Sequence, residues 1–360
     1  MTGIKLDQES EYNVARSPYM AEKIIFVDGQ EGCGKTLFSC LVSAFDRVEK
    51  LTYAYEIEWI CSLYHLRKIE IDAAVGMVRM LTDLTLYDTM MSREVNFRPS
   101  DLSSVFRDGN TFRYLKRLFM EGDMAVPARI KRERPILSLT VHKMLSVAQP
   151  VLEALRERAV FVEIVRHPLY MIIQQSLNNQ ILIRDARDFV IYFEQNNKEY
   201  PWYTAGWESL FENSNPVEKT IYYMQKIGQM VDRSKEELIE RYGTKILTIP
   251  FEGFVIDPWP YMTKMEELFG SKITNTTRRE MKRQNVPRKK ISDGIPLAVY
   301  KRCGWEPPRP GASEENEFEI RRQFAAKTAS PEAMKVLHQL CADYEERYMG
   351  RRIIKGDHYE

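Results

Sequence analysis

The sequence lacks any apolar run of the length that a membrane-spanning helix requires, about 18–20 residues. Its first segment, Met1–Tyr19, is polar and contains no apolar core of signal-peptide length. Cysteine is scarce as well, since the chain of 360 residues has five, none at the spacing of a disulfide framework or a metal site. From these absences we expect a soluble cytoplasmic protein with free thiols and no bound metal.

The chain also lacks a large net charge of either sign. The 52 lysines and arginines nearly balance the 51 aspartates and glutamates, which leaves a formal net charge of +1. This balance provides no global attraction to nucleic acid or to a membrane surface. We therefore expect no nucleic-acid partner, and any bound anion must be held by a local cluster of residues.

One motif is strong, and it lies near the start of the chain. The apolar run Ile24–Val27 leads into Gly29-Gln30-Glu31-Gly32-Cys33-Gly34-Lys35-Thr36, and an apolar segment follows. The spacing matches G-x-x-x-x-G-K-[ST], in which glycines let backbone N–H groups turn toward phosphate oxygens and the lysine adds a positive charge. The positive end of the following helix dipole would lie on the same anion. The segment therefore predicts a strand, a phosphate-binding loop and a helix.

The rest of the chain alternates between strand and helix patterns. Further strands are predicted at residues 135–141, 159–165 and 245–250, and residues 51–66 could supply another strand and a helix. Helical patterns cover residues 169–180, 216–242 and 258–269, the last of them closed by Gly270. Alternation of this kind predicts a P-loop three-layer α/β/α fold with a central parallel sheet.

The expected domain organisation has three parts. Residues 1–20 form an N-terminal extension, and residues 21–305 form the α/β domain, with a helical insertion at about residues 71–134. Residues 306–360 form a Pro-rich linker and a C-terminal helix, for which Ser330 is the expected N-cap and Pro331 the first residue. The apolar stripe of that helix predicts that it packs on the main domain.

Ligands of parallel α/β sheets bind at the carboxyl ends of the strands. The phosphate loop, His142, Arg166 and Glu252 each follow a predicted strand. We therefore expect them to border one cleft.

Three separated segments together resemble the sulfotransferase family, which transfers a sulfuryl group from the nucleotide PAPS to a hydroxyl or amine. The first is the loop Cys33-Gly34-Lys35-Thr36-Leu37, and the second is the strand that ends in Arg166-His167-Pro168. The third is the strand that leads into Phe251-Glu252-Gly253-Phe254 and a helix ending in Leu268-Phe269-Gly270. The order and spacing of the three segments over residues 24–270 carry the resemblance.

The resemblance implies PAPS as donor and PAP as product. It implies that Arg166 holds the 3′-phosphate, together with the basic residues Arg288, Lys289 and Lys290. Gln174 occupies the position of the family's phosphate-binding serine, and Ser176 lies two residues further along the chain. It also implies that Lys35 and the loop amides stabilise the leaving phosphate and that His142 is the base. Candidates for the lining of an acceptor site are Trp202, Tyr203, Trp207 and Phe211. The sequence leaves the acceptor open among carbohydrate, lipid, peptide and small molecule.

Two departures from the family keep other functions open. Lys35 replaces a hydroxyl residue of the family's loop, and Glu31 and Gly32 stand where the family has an earlier basic residue. A loop ending in Gly-Lys-Thr is also what ATP- and GTP-binding proteins use with Mg²⁺, and Glu163 is the acidic residue available to such a site. An ATP-dependent kinase or NTPase is therefore one alternative, and a nucleotide-binding protein without catalysis is another.

Overall fold

A computed structural model describes residues 12–294, 304 and 313–350 of the protein. Within these residues, a five-stranded parallel sheet has the order β2-β3-β1-β4-β7, and a separate antiparallel hairpin joins β5 and β6. The strands are β1 (Ile24–Asp28), β2 (Thr52–Tyr53), β3 (Leu137–Thr140), β4 (Ala159–Val165), β5 (Tyr192–Gln195), β6 (Lys198–Pro201) and β7 (Lys245–Pro250).

Helices connect the strands and cover both faces of the sheet. They are α1 (Lys35–Val42), α2 (Tyr55–His65), α3 (Ile71–Met91), α4 (Thr111–Arg117), α5 (Ala125–Glu133), α6 (Gln149–Leu155), α7 (Pro168–Leu182), α8 (Glu208–Asn213), α9 (Pro216–Tyr242), α10 (Phe251–Ile256), α11 (Trp259–Phe269) and α12 (Asn275–Arg283). Two helices near the C-terminus, Glu314–Ala326 and Pro331–Tyr344, follow. None of the helices in the described ranges has the length and apolar character that a membrane crossing needs.

Alternating side chains of the central strand explain why both faces are covered. Along β1, Ile25 and Val27 belong to one buried cluster, whereas Ile24 and Phe26 belong to the cluster on the opposite face. All of β1 is buried, as expected for a parallel strand with helices on both sides. The ring of Phe26 stacks on that of Phe161 in β4 at 5.0 Å between centroids, which joins neighbouring strands within one cluster.

The α/β architecture predicted from the sequence is confirmed. Strands β4 and β7 and helix α9 have the predicted bounds, and residues 51–66 do form a strand and a helix, although β2 has only two residues. The β5–β6 hairpin lies within residues 186–215, for which the sequence pattern predicts no element.

Both ends of the chain contact the α/β core where they are described. Near the N-terminus, Arg16 forms an ion pair of 2.7 Å with the buried Asp83 of α3. Near the C-terminus, the N–H of Ser330 donates to Glu218 of α9 at 2.8 Å, and the Ser330 side chain accepts a hydrogen bond from the N–H of Ala333, as expected of an N-cap. The linker expected at residues 306–311 lies outside the described residues.

A buried ion pair anchors the helical insertion to the sheet. The carboxylate of Glu49 accepts hydrogen bonds from both terminal nitrogens of Arg117 in α4, at 2.7 and 2.9 Å, and one from the hydroxyl of Tyr114 at 2.9 Å. Glu49, Arg117 and Tyr114 are all buried. Removing only one partner of such a pair leaves an uncompensated charge in the interior.

We predict that Arg117→Met lowers the free energy of unfolding by about 3 kcal/mol or more, because Glu49 loses its bidentate partner. Arg132→Met is the matched control, since its ion pair with Glu133 is exposed and should be worth less than about 1 kcal/mol. Denaturant-induced unfolding measures both values. Equal losses for the two variants would contradict the anchoring role of Arg117.

Candidate functional site

The phosphate loop joins the end of β1 to the start of α1. The φ angles are 142° at Gly29, 83° at Gly32 and 99° at Gly34, values that residues with a side chain rarely adopt. A Cβ on Gly29 would lie 2.4 Å from the carbonyl oxygen of Ile164, and one on Gly34 would lie 2.3 Å from the ring of Phe251. A side chain at either of these two positions is therefore disfavoured both by the neighbouring atoms and by the positive φ angle.

Two charged side chains fix the conformation of this loop. The carboxylate of Asp28 accepts hydrogen bonds from the N–H groups of Gly29, Met144 and Leu145, at 2.7, 3.0 and 2.6 Å. The ammonium group of Lys35 folds back and donates to the carbonyl oxygens of Gly29 and of Gln30, the latter at 2.9 Å. A positive charge is thereby held within the loop.

Of the other predicted loop residues, Cys33 is buried and Thr36 is half-buried in the first turn of α1. Gln174 of α7 lies beside the loop. Its side-chain oxygen would be 3.6 Å from a Cβ atom added to Gly32. Ser176 does not lie there: its hydroxyl donates to that of Thr220 in α9 at 3.3 Å. Successive α-helical positions differ by about 100°, so residues two apart in α7 face nearly opposite sides.

Arg166 follows β4 and contacts the phosphate loop, as expected. One terminal nitrogen donates to the carbonyl oxygen of Gly32 at 2.9 Å, and the guanidinium lies 4.4 Å from the ring centroid of Phe251. The Nε atom is buried and has no hydrogen-bond partner among the described residues, since the nearest oxygen of Glu252 is 3.8 Å away. A buried N–H of a charged group that lacks a hydrogen-bond partner needs an explanation, and a bound anion would supply one.

Arg288 and Arg321 add two more guanidinium groups near Arg166. Arg288 lies over the same Phe251 ring at 5.5 Å, and burial together with the charge of Arg166 lowers the pKa of Arg288 to about 10. Arg321, from helix Glu314–Ala326, lies over the ring of Tyr170 at 5.0 Å, and the same two causes lower its pKa to about 10. The sequence did not point to Arg321. Lys289 and Lys290 are exposed, beside Arg288 in the chain.

A buried network lies behind Arg166. The carboxylate of Glu252 accepts hydrogen bonds from the hydroxyl of Tyr344 and from the N–H of His167. The imidazole of His167 contacts Glu345 at 3.3 Å, and both side chains are buried. These contacts join the C-terminal segment to His167, the residue after Arg166, so Glu252 supports the site from outside the donor-side cavity.

His142 lies near the carboxyl end of β3 and is oriented by a carboxylate. Its Nδ1 is 3.1 Å from Glu58 of α2, and its backbone N–H donates to the same oxygen at 2.8 Å. Because a carboxylate only accepts hydrogen bonds, this contact favours the tautomer with the proton on Nδ1 and leaves Nε2 able to accept a proton. The sequence did not point to Glu58, since no spacing rule connects it to His142.

Glu31 and Lys143 form an ion pair at the side of the loop. The ammonium of Lys143 is 2.6 Å from the Glu31 carboxylate, which also accepts a hydrogen bond from the hydroxyl of Tyr223. Burial acts to raise the pKa of Glu31, but the charges of Lys143 and Lys35 outweigh it and hold that pKa well below its usual range. The acidic residue of the loop is thus neutralised by a neighbour.

Two cavities flank the loop. The donor-side cavity, of about 310 Å³, is lined by Gly29, Gln30, Cys33 and Arg166, among others. The base-side cavity, of about 190 Å³, is lined by His142 and Glu58 and by the aromatic residues Tyr55, Trp59, Phe189 and Trp202. Lys143 lines both cavities, and the sequence assigned it no role.

The other three aromatic residues expected at an acceptor site do not line the base-side cavity. Tyr203 lies under the ammonium of Lys143 at 5.3 Å, and Trp207 packs edge-on against Phe211. Among the described residues, no group of three or more His, Cys, Asp or Glu side chains could hold a metal ion.

Comparisons with known proteins find distant structural similarity only. No protein-family model matches the chain, and no curated protein matches it. Solved structures that do match include sulfotransferase STF9 from Mycobacterium avium, at 14% identity and a TM-score of 0.39 over 92% of this chain and 78% of that one. Mouse sulfotransferase SULT7A1, crystallised with PAP, matches at 10% identity and a TM-score of 0.39 over 94% and 88%. Sulfotransferase STF1 from Mycobacterium tuberculosis matches at 10% identity and a TM-score of 0.37 over 79% and 76%. Values of this size do not establish a shared activity.

The close approach of Gly34 to Phe251 generates a stability prediction. We expect Gly34→Ala to lower the free energy of unfolding by at least about 1 kcal/mol more than Gly206→Ala, because a forced contact adds to the backbone strain. Gly206 is the matched control, with a φ of 89° and no atom within 4 Å of an added Cβ. Denaturant-induced unfolding of both variants measures the difference, and equal losses would contradict the packing of Phe251 on the loop.

Proposed function

We propose that the protein is a sulfotransferase-like enzyme that binds PAPS and transfers its sulfuryl group to a hydroxyl or amine acceptor. The observation that carries the proposal is the contact of Arg166 with the phosphate loop, 2.9 Å from the Gly32 carbonyl, with a buried Nε left unpartnered. Gly29, Gln30 and Cys33 of the loop and Arg166 line one cavity of about 310 Å³. PAPS is a nucleotide with two separate anionic groups, and it fits that arrangement.

Each end of the donor has a candidate set of residues. The N–H groups of residues 32–36 and the ammonium of Lys35 would hold the phosphosulfate end, with the Thr36 hydroxyl as a further donor. Lys35 donates to two neutral carbonyl oxygens, and a bond to phosphate, in which both partners are charged, is stronger than either. Arg166 and Arg288 would hold the second phosphate, with Gln174 beside the loop, and an anion there would relieve their mutual repulsion.

The base-side cavity is the proposed acceptor site. His142 would accept the proton of the acceptor on Nε2, because Glu58 engages the opposite nitrogen. Lys143 lines both cavities, but its ammonium is paired with Glu31 at 2.6 Å, so we assign it the role of neutralising the loop carboxylate beside the proposed transfer path. When bound, PAPS would supply the activated sulfuryl group.

A magnesium-dependent kinase or NTPase receives less support. Its acidic residue would be Glu163, whose carboxylate already accepts hydrogen bonds from the Lys235 ammonium at 2.6 Å and from the Thr248 hydroxyl. A carboxylate neutralised in this way is a poor ligand for Mg²⁺. The His142–Glu58 pair also favours an enzyme over a nucleotide-binding protein without catalysis.

The donor can be identified by thermal unfolding of the full chain with PAP, PAPS or Mg-ATP, each at the same concentration. We expect PAP and PAPS to raise the melting temperature without magnesium, because a ligand that binds only the folded state stabilises it by mass action. A rise with Mg-ATP alone would reject the proposed donor in favour of the kinase alternative.

Arg166 provides a test of the second phosphate subsite. We predict that Arg166→Ala weakens PAP binding by about tenfold to a hundredfold, the loss of one or two charged hydrogen bonds, and weakens adenosine 5′-phosphosulfate much less, because that nucleotide lacks the 3′-phosphate. Calorimetry measures both affinities, and Arg187→Ala is the matched control, since Arg187 lies in the base-side cavity. Equal losses for the two nucleotides would remove Arg166 from this role.

A further inference from the structure

The helical insertion carries an apolar surface that nothing in the described chain covers. We define the phenylalanine surface as the side chains of Phe106, Phe112, Leu118, Phe119 and Met124, which are exposed by 50%, 86%, 44%, 90% and 88%. Phe119, Met124 and Phe112 are the three most exposed large apolar side chains in the part of the chain that the structure describes. The five side chains belong to one short segment, residues 106–124, and an exposed apolar patch on a protein surface marks an interaction site.

Buried contacts on the inner side of α4 fix the segment that carries the phenylalanine surface. On the inner side of α4, Tyr114 is fully buried and its hydroxyl accepts a hydrogen bond of 2.7 Å from the N–H of Lys50. Arg117 forms its buried ion pair with Glu49 from the same side. Phe112 therefore points outward because the opposite side of α4 is fixed by these contacts, and its exposure is a consequence of the fold.

The charge around this surface is positive, in contrast to the neutral chain. Residues 105–134 include eight lysines and arginines and four aspartates and glutamates. Two of the basic residues, Arg117 and Arg129, are buried, and five basic residues are exposed against two acidic ones, Glu121 and Asp123. Arg107 and Lys116 are exposed among the apolar side chains, and Lys131 and Arg132 are exposed on α5. Exposed aromatic and aliphatic side chains interspersed with basic ones are the combination that binds the interface of an anionic bilayer.

The position of the surface leaves the proposed active site open. The side chain of Arg113 in α4 donates to the carbonyl oxygen of Val48, and Val48 pairs with Ile136 just before β3 begins. The insertion therefore lies at the amino ends of β2 and β3, whereas the phosphate loop and His142 lie at the carboxyl ends. A flat partner could contact the insertion without covering the cleft.

We propose that the phenylalanine surface docks the protein on membranes that contain anionic lipid. Phe112, Phe119 and Met124 are almost fully exposed, and a bilayer can bury such side chains because its acyl chains surround a single Phe or Met without a preformed complementary pocket. The basic residues Arg107 and Lys116 supply the attraction to anionic headgroups, which falls as salt is raised. The protein would lie on the membrane and not cross it.

Vesicle flotation of the full-length protein tests the proposal. We expect binding to phosphatidylcholine vesicles that contain phosphatidylserine, weaker binding to phosphatidylcholine alone, and a decrease with added salt. The double variant Phe112→Ser/Phe119→Ser should bind at least about tenfold more weakly, because the two most protruding aromatic side chains are lost. Lys116→Glu should weaken binding only to the vesicles with phosphatidylserine.

The matched control is Ile239→Ser/Ile320→Ser, which removes two apolar side chains exposed by 51% and 50% on other helices. This control should bind vesicles as the unaltered protein does. Both double variants should have the melting temperature of the unaltered protein, since the changed residues are exposed. Absence of vesicle binding by the unaltered protein would overturn the proposal, as would equal binding by both double variants. A concentration-dependent dimer that is lost in Phe112→Ser/Phe119→Ser, without vesicle binding, would assign the surface to a second copy of the chain instead.

Discussion

The carboxylate of Asp28 is the constraint on which the arrangement of the candidate site depends. It is the last residue of the central strand, it is buried, and it accepts hydrogen bonds from Gly29 in the phosphate loop and from Met144 and Leu145 after β3. A buried carboxylate must be satisfied in this way to remain in the interior. Asp28 thereby joins the phosphate loop to the segment that directly follows His142 and Lys143.

The charges at the site follow a consistent pattern. Its acidic side chains already have partners, since Glu31 is paired with Lys143, Glu163 with Lys235, and Glu252 accepts from Tyr344. The basic side chains Lys35 and Arg166 instead donate to neutral backbone oxygens of the loop. Arg166, Arg288 and Arg321 thus lie close together, with Glu252 3.8 Å from Arg166 and Glu317 3.5 Å from Arg321, in a chain whose formal net charge is +1. A phosphate-bearing ligand is the natural complement of these three guanidinium groups.

Sequence patterns predicted the parts of the site that lie at fixed offsets from a strand. Arg166 directly follows β4, and the loop directly follows β1, so the parallel sheet brings them together once its order is known. Glu58 and Lys143 were not assigned roles because their partners, His142 and Glu31, are distant in the chain. Ser176 illustrates a different limit, because proximity in sequence to Gln174 does not decide which side of α7 it faces.

The sequence by itself determined the phosphate loop, the parallel α/β architecture and the candidate arginine after β4, because these follow from local spacing and from the alternation of apolar residues. Only the tertiary structure decided which charges are neutralised, which cavity each residue lines, and that Arg321 joins Arg166 and Arg288. It also decided that Phe112 and Phe119 are exposed while Tyr114 between them is buried. The physical reason is that burial and charge pairing depend on residues far apart in the chain, which no local pattern specifies.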